Sequence, residues 1–194
     1  MFGEIIFLDA SKLFFEFGAL KRVARSGWWL AGVKNPESVA EHSFRTALIA
    51  RVLAELEGLS EEDSQKAVLL CLFHDVPEAR CNDLHKLGST YFGKCQEKAL
   101  EKAAEDQALL MPQKTAGLFL AFLQEFKECK TRAAIIAKDA DLVEVAFQAK
   151  EYSDCGFSGV CEWIQHARES VKTRAAGELL RDLEKNSSCW FEKI

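Results

Sequence analysis

Apolar residues recur at the spacing of an α-helix along nearly the whole chain of 194 residues. Runs of alternating β-branched residues bounded by turn residues, which are typical of strands, are scarce. Only three prolines interrupt the pattern. We therefore predict an all-α fold. We expect residues 1–194 to form one domain, because this length suits a single core and no repeat, linker or low-complexity tract divides the chain.

The breaks in the helical pattern locate the expected helices. Glycines and a proline predict a loop over residues 26–36, and a polar, glycine-containing stretch predicts another over 80–93. Pro77 places residues 74–78 at a helix end or bend. Helices are expected over residues 11–25, from a cap at Asn35 or Ser38 to Gly58, from Ser60 through Phe73, and over 95–110, 116–130, 132–152 and 161–183.

The charge balance restricts the class of partner. A formal net charge of -5 gives no electrostatic footprint for a nucleic acid polymer or an anionic membrane. A small anionic substrate remains compatible with this balance, because a metal ion and one or two basic side chains invert the field locally. We therefore expect a small-molecule partner, with neither nucleic acid polymer nor membrane.

The cysteines indicate a reducing compartment. The chain has seven, none of them in a CxxC pair, and the sequence shows no cationic and apolar secretory signal. An odd number of thiols without such a signal is typical of reduced cysteines. We therefore expect a cytoplasmic protein.

Four dispersed residues have the character of metal ligands: His42, the adjacent pair His74 and Asp75, and Asp141. Asp75 ends the apolar run 68–73, and Asp141 lies in another apolar run. A carboxylate in such a place must be paired, solvated or metal-bound, and one cation between the helices satisfies both. Nitrogen and oxygen donors without a thiolate suit a water-activating divalent cation better than a closed zinc site. Asp139 competes with Asp141 for the last position.

The order of these residues extends to a longer motif. It comprises Pro36-Glu37-Ser38-Val39-Ala40-Glu41-His42, His74-Asp75-x-x-Glu78, Asp83-Leu84, Lys138 to Asp141, the upstream Leu20-Lys21-Arg22-Val23 and Gly27-Trp28, and the downstream Gln148-Ala149-Lys150-Glu151-Tyr152. Over most of residues 13–152 the chain resembles the HD-domain superfamily of metal-dependent phosphohydrolases. Within it, the chain is similar to the 5'-deoxynucleotidase branch, the HD domain-containing protein 2 and YfbR-like enzymes.

The resemblance implies a helical bundle and specific roles. His42, His74, Asp75 and Asp141 would be the metal ligands, which makes Asp139 a carboxylate that supports a ligand or faces solvent. Glu78 would orient or deprotonate the attacking water, and Asp83 would protonate the leaving oxygen or bind the nucleotide. Together these two acids could hold a second metal. The alternative for both is a solvated acid in a loop.

The resemblance also implies where the substrate binds. Trp28 would pack on a sugar or base, and Arg25 or Arg22 would contact phosphate. The chain departs from its relatives at Leu30-Ala31-Gly32, where the family often carries arginine or asparagine, so phosphate binding would rely more on Arg25 or Lys86. The alternative is that Trp28 covers the core and the arginines face solvent. His166 is expected at the surface, and Phe119, Phe122 and Phe126 in the core or at a dimer face.

These implications define the expected function. The protein would remove the 5'-phosphate from ribo- or deoxyribonucleoside monophosphates with water activated by Mn²⁺, Co²⁺ or a similar transition ion, Mg²⁺ being less favoured. Hydrolysis of a nucleoside triphosphate or a guanosine alarmone is the alternative, and a non-catalytic helical module stapled by metal is a third reading. The family also implies a homodimer.

Overall fold

The computed structural model describes residues 2–189 and residue 191. This part of the chain contains helices and one isolated bridge between Ala24 and Ser38, without a strand, so the all-α prediction is confirmed. Met1, Trp190 and residues 192–194 of the expected single domain lie outside the described residues. Among the residues described, no helix is both long and apolar enough to traverse a bilayer.

The α-helices follow one another with short connections. They are α1 (Phe2–Ala19), α2 (Gly27–Leu30), α3 (Val39–Leu56), α4 (Glu61–Phe73), α5 (Glu78–Cys81), α6 (Lys86–Phe92), α7 (Lys94–Ala108), α8 (Gln113–Glu128), α9 (Arg132–Asp154), α10 (Cys161–Ser170) and α11 (Arg174–Asp182). Single 3₁₀ turns cover Ser158–Val160 and Leu183–Lys185.

Helix α9 is the centre of the bundle and contacts α3, α4, α8, α10 and α11. Its inner positions are mostly alanines, six of which are buried, and small side chains allow neighbouring helix axes to approach closely. A second apolar cluster joins α1, α7 and α8. Phe119, Phe122 and Phe126 are buried in these cores, so they belong to the core and not to a dimer face. Asp75 and Asp141 therefore enter the interior on helices that surround one core.

Local capping fixes where the site helices begin. Ser38, and not Asn35, caps α3 in a reciprocal box with Glu41: the Glu41 amide donates to Ser38 Oγ at 3.2 Å, and the Ser38 amide donates to Glu41 Oε2 at 2.7 Å. Ser60 Oγ accepts from the Asp63 amide at 3.1 Å and starts α4. Because the α3 cap lies just before His42, it sets that histidine in the first turn.

The expected helix over residues 11–25 is wrong at its C-terminal end, because α1 stops at Ala19. Backbone groups beyond it pair with the segment before α3: the Val39 amide donates to the Val23 carbonyl at 2.8 Å, and the Arg25 amide donates to the Glu37 carbonyl at 3.0 Å. This pairing is long-range and leaves no trace in the local periodicity. It carries Arg25 toward the bundle interior.

The expected loop over residues 80–93 also needs correction, since it contains the second half of α5 and all of α6. His85 Nδ1 accepts from the Gly88 amide at 2.9 Å and caps α6, while the His85 amide donates to Ser26 Oγ at 2.9 Å. A side chain from the loop before α3 therefore holds this connection. Asp83 lies in the short non-helical stretch between the two helices.

The expected helix over residues 161–183 is two helices, broken between Ser170 and Arg174. Asp139 causes the break: its carboxylate accepts from the Lys172 amide at 2.9 Å, the Thr173 amide at 2.7 Å and the Thr173 hydroxyl at 2.6 Å. Asp139 is therefore buried and anchors the end of the bundle, and its assignment as a ligand-supporting or solvated carboxylate was wrong. Two residues turn a helix by about 200°, so Asp139 and Asp141 face different neighbours.

Candidate metal centre

Three helices place the four expected ligands at one point inside the bundle. His42 comes from the first turn of α3, His74 and Asp75 from the end of α4, and Asp141 from the middle of α9. His42 Nε2 lies 3.3 Å from Asp141 Oδ1 and 3.8 Å from Asp75 Oδ2, and His74 Nε2 lies 3.0 Å from Asp75 Oδ2. Ligand atoms of His42, His74 and Asp141 all lie within 4.8 Å of one another.

The two imidazoles are oriented so that Nε2 faces this point. His74 Nδ1 lies 2.7 Å from the Cys71 carbonyl, and His42 Nδ1 lies 2.6 Å from Glu144 Oε2. Each Nδ1 therefore donates a proton to its oxygen, and each Nε2 points at the carboxylates, where a cation that displaced the Nε2 proton would be coordinated. Both Nε2 atoms are buried and find no hydrogen-bond partner among the described residues. Two such nitrogens beside two carboxylates fit a divalent transition ion.

Glu144 is the site residue that our reading of the sequence missed. It is fully buried, one helical turn after Asp141 on α9, and its second oxygen accepts from Arg45 Nε and NH2 at 2.9 and 2.7 Å. Arg45 also donates to Gln148 and Glu151, both at 2.8 Å. The signal was present as Asp141-x-x-Glu144, a spacing that places both carboxylates on one helix face.

The charges of the cluster keep the ligand carboxylates ionised. Burial acts to raise the pKa of Asp75, but His74, Arg25 and His42 outweigh it and hold that pKa well below its usual range. The pKa of Asp141 is lowered against burial in the same way, by His42, His74 and Lys138. Burial and Arg25 act to lower the pKa of His42, yet Asp141 and Glu144 raise it to about 10. The point where the ligands meet thus attracts positive charge.

Glu78 and Asp83 differ from the ligands because their carboxyls retain protons more strongly. Burial, and then the negative charges of Asp75 and Asp83, raise the pKa of Glu78 well above its usual value. Burial also raises the pKa of Asp83, although Arg25 opposes it. Glu78 Oε2 is buried, and Asp83 Oδ2 lies 3.3 Å from Arg25 NH1. Neither residue is a solvated loop acid.

Of the residues expected to contact substrate, Arg25 lies at the centre and Trp28 does not. Arg25 NH1 lies 3.2 Å from Asp75 Oδ2 and contacts Asp83 as well. Trp28, in contrast, is 2% exposed. Its ring packs on Tyr152 and Trp163, so it covers the core and offers no face to a sugar or base.

Arg22 and Lys86 also lie away from the four ligands. Arg22 is exposed and donates to the Gly18 carbonyl at 3.4 Å, so it closes the end of α1. Lys86 is exposed in a separate groove beside His166 and Trp163. Neither contact places its side chain beside a ligand residue, and a phosphate contact by Arg22 or Lys86 stays a prediction. The surface position expected for His166 agrees with its exposure.

A cleft of about 280 Å³ opens directly onto His74, Asp75 and Glu78. Residues of α7, α8 and α9 form its other walls. Among them is Lys138, whose Nζ lies 3.8 Å from Asp141 Oδ2. We assigned no role to this lysine from the sequence, although it stands one helical turn before Asp141. The cleft gives a small molecule access to the ligand cluster.

The fold and centre define a class: an α-helical domain in which two histidines and two aspartates cluster beside a cleft, in an arrangement that could hold a metal ion. The family model for the HD domain matches residues 17–180, and the chain belongs to that family. It is 33% identical over 140 residues to 5'-deoxynucleotidase HDDC2 of Dictyostelium discoideum, covering 70% of this chain and 73% of that protein.

Other relatives show how far the similarity extends. The chain is 28% identical over 179 residues to 5'-deoxynucleotidase Ent638_2835 of Enterobacter sp. (strain 638), covering 89% of this chain and 88% of the relative. Matches to vertebrate relatives span 64% to 66% of those proteins' length. A conserved hypothetical protein from Pyrococcus furiosus has the same fold, with a TM-score of 0.73 and 31% identity over 90% of this chain and 99% of that one.

The contact between Glu144 and His42 makes a testable prediction about metal affinity. We expect Glu144→Gln to weaken Mn²⁺ or Co²⁺ binding about 10- to 100-fold, because a neutral amide supports the His42 ring less well than a carboxylate. Glu151→Gln is the matched control, since Glu151 contacts Arg45 but not His42. Titration of apo-protein with metal in a competing chelator measures both. Equal affinities in the two variants would contradict the role of Glu144.

Proposed function

We propose that this protein is a metal-dependent phosphohydrolase that removes the 5'-phosphate from deoxyribo- and ribonucleoside monophosphates. The observation that carries the proposal is the meeting of two buried imidazole nitrogens and two ionised carboxylates beside Glu78, an acid with a raised pKa, at the end of a cleft. The relatives from Dictyostelium and Enterobacter, both named 5'-deoxynucleotidases, support the same reaction.

In this proposal His42, His74, Asp75 and Asp141 hold one divalent cation. Imidazole ligands favour Mn²⁺, Co²⁺ or a similar transition ion over Mg²⁺. Such an ion lowers the pKa of a bound water and offsets negative charge on the phosphoryl group. The protein contributes the ligand geometry, which Glu144 and the Cys71 carbonyl maintain through the two Nδ1 atoms.

Glu78 and Asp83 move the protons. Because its pKa is raised, the ionised form of Glu78 is a stronger base than an exposed glutamate and would take a proton from the attacking water. Asp83, whose pKa is also raised, is suited to protonate the oxygen of the leaving sugar. Arg25 contacts both Asp75 and Asp83 and thereby fixes the acid relative to the ligands. Its remaining donors are available to a phosphate oxygen.

The size of the cleft favours a monophosphate over the alternatives. A volume of about 280 Å³ with one lysine at the ligands offers few cations for a triphosphate chain or a guanosine alarmone. A metal ion with a purely structural role would not require a buried acid with a raised pKa, such as Glu78, beside its ligands. The monophosphatase is therefore the function that the geometry supports best.

Phosphate release tests the proposed reaction. We expect metal-loaded protein to release inorganic phosphate from a panel of deoxyribo- and ribonucleoside 5'-monophosphates, and chelator to abolish the release because the ligands alone cannot activate water. A nucleoside 3'-monophosphate panel and a triphosphate serve as controls. Absence of release from every 5'-monophosphate, with Mn²⁺ or Co²⁺ bound, would contradict the proposal.

Single substitutions separate metal binding from proton transfer. We expect Asp141→Asn to lose metal and turnover together, and Glu78→Gln to retain metal while turnover falls about 10²- to 10⁴-fold, the range for a lost general base. Asp139→Asn is the matched control for Asp141, because it removes a buried carboxylate that caps α11 instead. It should keep its metal and turnover but unfold at lower denaturant concentration. Wild-type turnover by Glu78→Gln would exclude the proposed base.

We further propose a homodimer formed through one face of α3. Phe44, Leu48, Val52 and Leu56 follow one another at four-residue spacing and are between 54% and 64% exposed. In an antiparallel two-fold pairing, Phe44 of one copy would face Leu56 of the other, and Leu48 would face Val52, so the stripe is complementary to itself. An apolar stripe of this length on a soluble helix is typical of an interface.

Sedimentation of single variants tests this interface. We expect Leu48→Glu to convert the dimer to a monomer, because it buries an unpaired carboxylate against Val52 of the other copy in each half of the pairing. Leu109→Glu is the control, since Leu109 is 79% exposed outside α3 and should leave the mass unchanged. A wild-type protein that sediments as a monomer, or an unchanged dimer in Leu48→Glu, would contradict the proposal.

We also propose a cytoplasmic location. All seven cysteines are free thiols. Thiols in this number persist where the compartment is reducing.

A further inference from the structure

We propose that Gln107 is a positioning residue for the proposed reaction, because its side-chain amide holds the turn that joins Asp75, a proposed metal ligand, to the acid Glu78. This inference rests on the proposed function and adds to it a residue outside the metal centre. Gln107 lies near the end of α7 and has 0% exposure. It is no part of the motif that predicted the centre.

The turn after α4 is built from hydrogen bonds of short range. Pro77 has no amide, so it cannot continue the hydrogen-bond ladder of α4. Instead, the Glu78 amide donates to the Asp75 carbonyl at 3.0 Å, and the Ala79 amide donates to the Val76 carbonyl at 3.1 Å. These bonds span three residues, as in a 3₁₀ turn, where side chains three positions apart point the same way. The turn therefore sets Glu78 on the side of Asp75.

This turn has little local support. Helix α5, which follows it, has only four residues, and Pro77 at its start provides no side-chain cap. A helix of this length is not stable in water without tertiary contacts. The position of Glu78, the first residue of α5, therefore depends on contacts from other helices.

Gln107 provides such a contact. Its Nε2 donates to Glu16 Oε2 of α1 and to the Val76 carbonyl, both at 3.2 Å. Both partners are acceptors, because hydrogen bonds from Arg80 lower the pKa of Glu16 and keep its carboxylate ionised. The nitrogen of the amide, and not its oxygen, therefore faces them. Ala104 of α7 belongs to one buried apolar cluster with Val76, so α7 contacts both the backbone and the side chain at the middle of the turn.

A second contact joins the same group to α5. Arg80 Nε and NH2 donate to the two oxygens of Glu16 at 2.8 and 2.6 Å. Arg80 lies two residues after Glu78, and Glu16 also accepts from Gln107. The turn is therefore held at its middle, through Val76, and just beyond its end, through Arg80.

Removal of the Gln107 amide would leave its neighbours paired. The Val76 carbonyl also accepts from the Ala79 amide, and Glu16 Oε2 also accepts from Arg80 Nε. Gln107 Oε1 is buried and finds no hydrogen-bond partner among the described residues. A side chain of similar size without the amide therefore leaves neither acceptor buried and unpaired, which is a common cause of a large loss of stability. Positioning and stability can thus be separated at this residue.

The test is Gln107→Met in the metal-loaded protein, with a deoxynucleoside 5'-monophosphate as substrate. We expect kcat to fall about tenfold or more, because displacing a reacting group by about 1 Å costs up to about 10²-fold in rate. KM, metal affinity in a competing chelator and the midpoint of thermal unfolding should stay close to wild type. The amides of residues 78–80 should exchange hydrogen faster, which reports on the turn directly.

A second variant weakens the other contact. Glu16→Gln removes the charge that pairs with Arg80 and leaves the contact between Gln107 and Val76. We expect kcat to fall by less than in Gln107→Met, again with metal retained. Because Glu16 is only half-buried, this variant also tests the inference if Gln107→Met fails to fold.

Two controls distinguish positioning from stability. Asp106 precedes Gln107 on α7, pairs with Lys102 at 2.8 Å and lies 3.6 Å from Arg80 NH1, and Asp106→Asn should match wild type in every measurement. Asp139→Asn should lose stability and keep its turnover, the reverse of Gln107→Met. A purely structural role of Gln107 would instead make stability and turnover fall together.

The outcomes separate this inference from the proposed function. If wild type releases no phosphate, the proposed function is wrong and the inference falls with it. If wild type is active but Gln107→Met turns over as Asp106→Asn does, or loses turnover only in proportion to lost metal, the inference alone fails. Unchanged hydrogen exchange over residues 78–80 in Gln107→Met, or wild-type kcat in Glu16→Gln, would likewise contradict it.

Discussion

The buried contact between His42 and Glu144 is the interaction on which the rest of the centre depends. Both side chains have 0% exposure, and their 2.6 Å contact joins α3 to α9. Burying one ionised group without the other would cost several kcal/mol, so the two helices are fixed in register wherever this pair forms. Arg45 completes the arrangement by neutralising the second Glu144 oxygen. With α3 and α9 set, the end of α4 places Asp75 Oδ2 3.8 Å from His42 Nε2 and 3.2 Å from Arg25 NH1, where its charge is compensated.

The carboxyl groups of the cluster are of two kinds, which differ in pKa because their surroundings differ. Asp75 and Asp141 face imidazoles and basic side chains, which lower their pKa values despite burial. Burial, and then the negative charges of Asp75 and Asp83, raise the pKa of Glu78. The ionised pair is suited to hold a cation, and the proton-retaining acid is suited to exchange a proton with water. Residues of the same chemical type thus take different tasks within a few ångströms because of what surrounds them.

The sequence was sufficient to predict the features that depend on local hydrophobic periodicity or on a charged residue within an apolar run. Helical periodicity predicted the bundle, and carboxylates in apolar runs predicted that Asp75 and Asp141 would meet partners inside it. Periodicity could not predict the break at residues 171–173, because Asp139 reaches it from α9 across 33 or 34 positions. It also could not reveal which face of the segment around Trp28 turns inward. That depends on the pairing of Arg25 with Glu37 and of Val23 with Val39, which only the folded chain makes.

Two residues of the centre could have been predicted from their helical spacing to Asp141, which the sequence had already identified as a candidate ligand. Lys138 and Glu144 stand three positions before and after Asp141, so all three share one face of α9. Their positions also bear on how an acidic site would accept the proposed phosphate substrate. The carboxylates that attract a divalent cation repel a phosphate dianion, and Lys138, whose Nζ lies 3.8 Å from Asp141 Oδ2, does not alone reverse the sign of that field. In the proposed reaction a cation would therefore have to balance the ligand charges before a phosphate dianion could bind beside them.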